Sequence, residues 1–300
     1  MPEAGKTFFV TGATGYLGSR LVRALVAGGS NVYCLRRAHS RVDRLEDIEA
    51  SIAWVDAVGV DFEAFFAGNP VDAVVHCATS YGRRAVGPLD TIEANLLLPL
   101  KLLHAAAAAG VPALLNTDTV LDKGVSNYAL SKAQFVDWLK AYSTKLTCLN
   151  VALQHFYGAG DDPTKFTTTV VQSLLRGESR LKLTAGEQTR DFIHVDDVVS
   201  AMLVVLGAAQ GLGRGYFHYE VGTGAPIRIR DFVTLAAELA DNRSTALDFG
   251  ALPYRRGEVM DIRTELGPLL ALGWSPRIGL REGLTQMIES EKALLKSCDT

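Results

Sequence analysis

Cysteine is scarce and scattered in this 300-residue chain. Cys34, Cys77, Cys148 and Cys298 form no C-x-x-C pair and no Cys/His spacing able to close a tetrahedral site. Structural zinc and a disulfide-stapled scaffold are excluded, and no metal is expected. An excess of positive charge is also missing. Thirty Lys and Arg face 33 Asp and Glu, a net charge of −3, so the chain lacks the basic field of a nucleic-acid binder. Long hydrophobic runs are missing too. The most apolar stretch, Ala94 to Leu115, carries Lys101 and His104 and is interrupted by Pro99 and Pro112, which does not read as a membrane span. The first residues, MPEAGKTFFVTG, contain Glu3 and no apolar core of a secretory signal, so a cytoplasmic location with reduced thiols is expected.

What is there is an ordinary globular balance, with 48% hydrophobic and 21% charged residues. That is enough chain for one large domain or two of roughly 100 to 200 residues each. From Thr7 to about Val151, short apolar runs alternate with longer helical patterns. Predicted strands are Thr7–Thr11, Asn31–Leu35, Ser51–Val55, Ala73–Cys77, Ala113–Asn116 and Leu146–Val151, with helices near Tyr16–Ala27, Pro88–Ala109 and Ser126–Ser143. Several strands are continuous Val/Leu/Phe runs, the pattern of strands covered on both faces. The expected fold is α/β: a doubly wound parallel sheet of Rossmann type over residues 1–155, to which the chain returns from its second half. After Tyr157 the texture becomes irregular, so residues 156–300 are expected to form mainly a smaller, mixed substrate-binding lobe.

Thr11-Gly12-Ala13-Thr14-Gly15-Tyr16-Leu17-Gly18 follows the first strand and opens the first helix. A tight turn without Cβ atoms, ending in a helix N-terminus with free N–H groups, is suited to a pyrophosphate. Gly12, Thr14, Gly15, Tyr16, Leu17 and Gly18 are therefore candidate cofactor contacts. At the end of the second strand stand Arg36 and Arg37, with no carboxylate to hold a free ribose 2′-hydroxyl. An arginine there can pair with a 2′-phosphate, which favours NADP(H) over NAD(H). A solvated basic loop is the plainer explanation of the same arginines.

Tyr128 and Lys132, at i and i+4, share one face of the helix after the fifth strand. A nearby ammonium and an oxidised nicotinamide together lower the pKa of a phenol and make proton transfer to a carbonyl feasible. Thr117, at the end of the preceding strand, could hydrogen-bond the same oxygen. Thr117 and Thr119 could equally satisfy backbone groups at a strand end.

Together these elements resemble the extended short-chain dehydrogenase/reductase family, which works mostly on nucleotide sugars. Further matching strings are His76-Cys77-Ala78, Asn95, Tyr157-Gly158-Ala159-Gly160-Asp161, Arg190-Asp191-Phe192-Ile193-His194-Val195-Asp196-Asp197 and Arg255-Arg256-Gly257-Glu258. Ala78-Thr79-Ser80-Tyr81-Gly82 and Gly186-Glu187-Gln188-Thr189 are similar to reductases of CDP-linked 4-dehydro-6-deoxy sugars. The resemblance implies Tyr128, Lys132 and Thr117 as catalytic residues and adds Asp56, Cys77 and Ala78 to the cofactor set. It implies substrate contacts at Tyr81, Thr117, His155, Lys165, Arg190, Arg255 and Glu258, with the two arginines on diphosphate and Glu258 on ribose. His155 stands where many relatives have Asn, and it could also be a structural histidine. Thr117-Asp118-Thr119 lacks the Glu of sugar 4,6-dehydratases, which argues against dehydration. The implied activity is NADPH-dependent reduction of a C4 keto group in a homodimer. The alternatives are an NAD-dependent nucleotide-sugar 4-epimerase and a non-catalytic NADP-sensing regulator.

Overall fold

The computed structural model describes residues 4–83, 86–255 and 257–298, so Arg256 of the Arg-Arg-Gly-Glu string lies outside the described residues. In chain order the first elements are β1 (Thr7–Thr11), α1 (Tyr16–Ala27), β2 (Asn31–Arg36), β3 (Ala53–Asp56), α2 (Phe62–Gly68) and β4 (Ala73–His76). There follow α3 (Pro88–Ile92), a π-helical turn (Glu93–Leu97), α4 (Leu98–Ala108), β5 (Ala113–Thr119), α5 (Asn127–Tyr142) and β6 (Thr147–Leu153). The second half adds β7 (His155–Tyr157), α6 (Phe166–Leu175), β8 (Arg180–Leu183), β9 (Thr189–Arg190), β10 (Phe192–His194) and α7 (Val195–Leu212). The last elements are β11 (Gly215–Val221), β12 (Ile227–Arg228), α8 (Ile229–Leu239), β13 (Ala246–Phe249), α9 (Gly267–Ala271) and α10 (Leu280–Cys298).

Two compact units result. The first comprises Met1–Leu153, Val199–Glu220 and Gly267–Trp274. Its seven-stranded sheet has the order β11-β6-β5-β4-β1-β2-β3. The pairings from β1 through β6 are parallel, for example Val10 with Cys34 and with Val75. Strand order therefore reverses at β1, between β2 and β4, the switch point outside whose carboxyl ends such sheets bind ligands. Phe8, Phe9 and Val10 are all buried, as a strand covered by helices on both faces requires. Phe9 meets the rings of Phe62, Phe65 and Phe66 edge-on at 5.1–6.1 Å, while Val74, Leu114, Phe135 and Leu139 extend the same core. Burying each such side chain is worth about 1.5–3 kcal/mol.

The second unit comprises Gln154–Val198, Val221–Leu266 and Ser275–Thr300. Three two-stranded pairs, β10-β7, β12-β9 and β13-β8, are held by a core in which Phe192 stacks on Phe232 at 4.1 Å. Val171, Leu284 and Met287 pack in the same cluster. Asp191, fully buried, accepts hydrogen bonds from Thr223 N, Gly224 N and Thr264 Oγ1 and so pins the turn after β11 to the loop before α9. Among the described residues α7 alone has the length and apolarity of a membrane span, and 56% of that window is buried inside the protein.

Candidate active site

The glycine loop is shaped by close approach. Gly12 has φ +67°, and a Cβ there would stand 2.5 Å from Ala78 N, because the loop lies against the chain leaving β4. A Cβ on Gly18 would come within 2.1 Å of Gly12 O, so α1 can start this close to the turn only without a side chain. Gly15 caps α1, which has no acidic residue in its first turn. Thr14, Gly15, Tyr16 and Leu17 remain at least partly exposed there. The free N–H groups of that turn offer an anion site with no internal carboxylate competing for it.

Arginines border this loop. The guanidinium groups of Arg20 and Arg44 each lie over the Tyr16 ring, at 5.0 and 5.9 Å. At the end of β2, Arg36 stacks over Trp54 of β3 at 5.0 Å, and its register partner is the exposed Asp56. Arg37 is exposed.

Tyr128 and Lys132 both lie in the first turns of α5, which Ser126 caps by accepting from Ala129 N at 3.1 Å. The π turn places Asn95 against this helix start. Asn95 Nδ2 donates to Ser80 O (2.8 Å) and Ser131 Oγ (3.0 Å), while its Oδ1 accepts from Ser80 N and Thr79 Oγ1. Asn95 thus ties the segment after β4 to the helix that carries the Tyr-Lys pair. Tyr81, in that segment, lies 5.0 Å from the Tyr128 ring.

The protein's own groups act on both members of the pair. Burial pushes the Tyr128 phenol up from its ordinary value, with Tyr81 and Asp118 adding to the effect against a Thr119 hydrogen bond and Arg83. Lys132 is 1% exposed, and burial lowers its pKa while Asp118 and Cys77 oppose. In the protein by itself desolvation therefore outweighs the lowering expected from the lysine, and Tyr128 is held as a neutral acid. The Cys77 thiol is pushed up to about 12 by burial, so it stays protonated at neutral pH.

Thr117 and Thr119 both engage backbone groups at the end of β5. The Thr117 hydroxyl donates to His76 O at 3.0 Å inside the sheet, and the Thr119 hydroxyl accepts from Leu121 N at 3.3 Å; Thr119 also lies near enough to Tyr128 to oppose the rise of its pKa. A hydroxyl has one proton, and that of Thr117 is committed to a backbone carbonyl. Two residues apart on a strand they point to the same face.

In the second unit, Arg190 forms an ion pair with Glu258 and donates to Val259 O at 2.8 Å; Arg255 is near enough to depress the Arg190 guanidinium. His155 lies edge-on to Phe192 at 6.0 Å, with Nδ1 buried and no partner among the described residues. Burial first, then Arg190, lowers its pKa to about 4, so it is neutral at physiological pH. Lys165 pairs with Asp161 at 2.8 Å and sits over the Phe156 ring at 4.1 Å. Five sequence-predicted substrate residues are thus grouped in one unit, and Tyr81 is in the other.

Residues 8–222 match the family model described as the NAD dependent epimerase/dehydratase family. The chain belongs to this family. Over 93% of its length it is 31% identical to CDP-abequose synthase of Salmonella typhimurium, covering 96% of that protein. It is 29% identical to UDP-glucose 4-epimerase of Mycolicibacterium smegmatis, over 93% of this chain and 96% of the other. Among solved structures it is similar to MoeE5 in complex with UDP-glucose and NAD, with TM-score 0.81, 25% identity, and coverage of 97% and 100% of the two chains. The sheet order and the glycine loop are those of the family's Rossmann-like fold.

Proposed function

We propose that this protein reduces the C4 keto group of a nucleotide-linked 4-dehydro-6-deoxyhexose, CDP-linked, with NADPH. The observation that carries the reading is the Tyr128–Lys132 pair on α5, a phenol beside the Tyr81 ring followed one turn later by a buried lysine whose Nζ has no partner among the described residues. A carbonyl that receives hydride must receive a proton too, and a neutral phenol in a dry site is the donor such a step uses. The 31% identity to a CDP-abequose synthase supports the sugar and nucleotide class.

The residues present fit a dinucleotide. The loop leaves no room for a Cβ at Gly12 or Gly18, and Lys132 Nζ is buried with no partner among the described residues. Gly12, Thr14, Gly15, Tyr16, Leu17 and Gly18 would hold the pyrophosphate, Arg36 and Arg37 the 2′-phosphate, with Asp56, Cys77 and Ala78 completing the contacts. NADPH, when bound, supplies the hydride. Lys132 would orient the nicotinamide ribose and tune Tyr128, whose Oη proton goes to the sugar oxygen. Thr117, at the end of β5, would polarise the carbonyl by turning its hydroxyl from His76 O. Arg190 and Arg255 would hold the diphosphate, Glu258 the nucleoside ribose, and Tyr81, His155 and Lys165 the remaining substrate groups.

Supplying CDP-4-dehydro-6-deoxyglucose and NADPH, with product NMR, tests this. Consumption of both with formation of a C4 alcohol is expected, and consumption of a dTDP or UDP analogue alone would overturn the nucleotide. The second reading, a 4-epimerase, draws on the UDP-glucose 4-epimerase relative. Tightly bound NAD in purified protein and epimer formed without added cofactor would establish it instead. Leu97, Leu130 and Trp138, on the π turn and α5, expose 40–44% of their surface, which supports a homodimer through these helices, to be checked by light scattering. Localisation in the cytoplasm belongs to the same reading.

A further inference from the structure

His76 Nε2, Asn116 Oδ1 and Lys132 Nζ are among the buried polar atoms of the first unit that have no partner among the described residues. His76 on β4 is the register partner of Asn116 on β5, which in turn pairs with Asn150 on β6, so all three side chains leave the sheet on one face. Helix α5 covers that face. Phe135 meets the His76 ring at 6.0 Å, and Lys132 lies one turn earlier on the same helix, close enough for its charge to act on the imidazole.

Donors and acceptors along this row can be assigned. Thr11 Oγ1 accepts from Ala78 N (3.3 Å) and lies 2.8 Å from His76 Nδ1, its remaining partner for a proton. His76 is then protonated at Nε2, a free donor. Asn150 Nδ2 donates to Asp118 Oδ2 at 2.8 Å and lies 3.1 Å from His218 Nδ1, which fixes its amide orientation, since the reverse would set its oxygen against a carboxylate. Asn150 Oδ1 must therefore accept, and Asn116 Nδ2 donates to it at 2.8 Å. Asn116 Oδ1 is left as a free acceptor. The unpaired set is one acceptor and two donors, from His76, Asn116 and Lys132.

We propose that a single internal water joins these three atoms, accepting from His76 Nε2 and Lys132 Nζ and donating to Asn116 Oδ1, and that His76 and Asn116 are positioning residues for Lys132. Three hydrogen bonds are what a buried water ordinarily makes, and leaving three such groups unmade is costly. The row Thr11, His76, Asn116, Asn150 and Asp118 then acts as one support that holds the ammonium from behind, within the sheet. The other ionisable groups facing Lys132 are Cys77 and Asp118 from the strand ends and Tyr128 from its own helix.

The proposal rests on Lys132 belonging to the catalytic pair, and its test separates the two. A high-resolution crystal structure of the full chain with NADP(H) is expected to show one solvent peak within hydrogen-bonding reach of all three atoms. Lys132 Nζ bonded directly to protein, with no peak there, would overturn it, whatever the enzyme's activity. In Asn116→Leu and His76→Phe, checked for folding by thermal melting, kcat is expected to fall about 10- to 100-fold, as for loss of a hydrogen bond to a charged group. KM for NADPH should stay within about twofold. The alkaline limb of the kcat profile should move to lower pH, because the ammonium loses a stabilising neighbour. Folded variants with parental kcat and an unmoved limb would overturn the positioning role. Full turnover by Tyr128→Phe would instead remove the catalytic pair and leave the water to be judged by diffraction alone.

Discussion

The two units handle their polar site residues in opposite ways. In the first, Lys132 Nζ is buried with no partner among the described residues, and the first turn of α1 has no acid beside it. In the second, charges are matched internally, Arg190 with Glu258 and Lys165 with Asp161. The first arrangement is preorganised: its groups are fixed by packing and by Asn95, with their bonding capacity left for something else. The second is self-neutralised, so an anionic ligand has to compete with an existing carboxylate for Arg190. A site of the first kind favours a defined geometry for chemistry. One of the second kind trades part of its ligand affinity for a neutral resting state.

The largest test of this contrast is Tyr128→Phe. General acid catalysis contributes about 10²–10⁴ in rate, so kcat should drop by that factor while NADPH binding, followed by fluorescence, is retained. Parental turnover would mean that the preorganised pair is structural. Next comes the pH dependence of stability in the second unit. His155, with its pKa lowered to about 4, is neutral in the folded protein, whereas in the unfolded chain it protonates below about 6.5. Between those values the unfolded chain binds the extra proton, so stability is complete above pH 6.5 and falls as pH drops toward 4, by about 3 kcal/mol in all. His155→Asn should flatten this slope in thermal melts, and an unchanged slope would place the burden on other groups, His76 among them.

Much of the first unit was legible because its signals are local. The glycine loop sits between β1 and α1, and Tyr128 and Lys132 are four residues apart, so short-range patterns carry both. What could not be read depends on distant chain. β11 joins the sheet beside β6 although more than sixty residues separate them in sequence, and β11 contains no mark of that partner. The partner of the Thr117 hydroxyl is the carbonyl of His76, a neighbour supplied by β4. The same holds for the depth at which Tyr128 lies, since burial raises its pKa and spacing carries no measure of burial. In the second unit the motif strings located Arg190 and Glu258, but their pairing with each other follows from the β9 loop packing against residues 258–260, which no motif describes.

Arg190→Met tests self-neutralisation directly. Losing a charge-assisted contact to diphosphate should raise KM for the nucleotide sugar about tenfold, corresponding to roughly 1.5 kcal/mol, with kcat changed less. If the internal pair matters, Glu258→Gln should have a split effect: it frees Arg190 for the diphosphate but weakens the ribose contact, so binding of free CDP should be more sensitive to salt in this variant than in the parent. Identical salt dependence would mean that Glu258 does not restrain Arg190.

The smallest expected effect concerns the edge of the first unit, where Arg36 is stacked on Trp54 and has no ion-pair partner among the described residues. An exposed cation–π contact is worth about 0.5–1 kcal/mol, so the stack holds the guanidinium in place without neutralising it. Its charge stays available to a 2′-phosphate, which a carboxylate partner would have prevented. Arg36→Ala should therefore weaken NADPH binding several-fold, by about 1 kcal/mol, and leave NADH binding unchanged. Trp54→Leu, which keeps the charge and removes the platform, should lie between the parent and Arg36→Ala. Equal losses for both cofactors would show that Arg36 supports the adenosine in general, and the preference for NADPH would then have to come from Arg37 or Arg44.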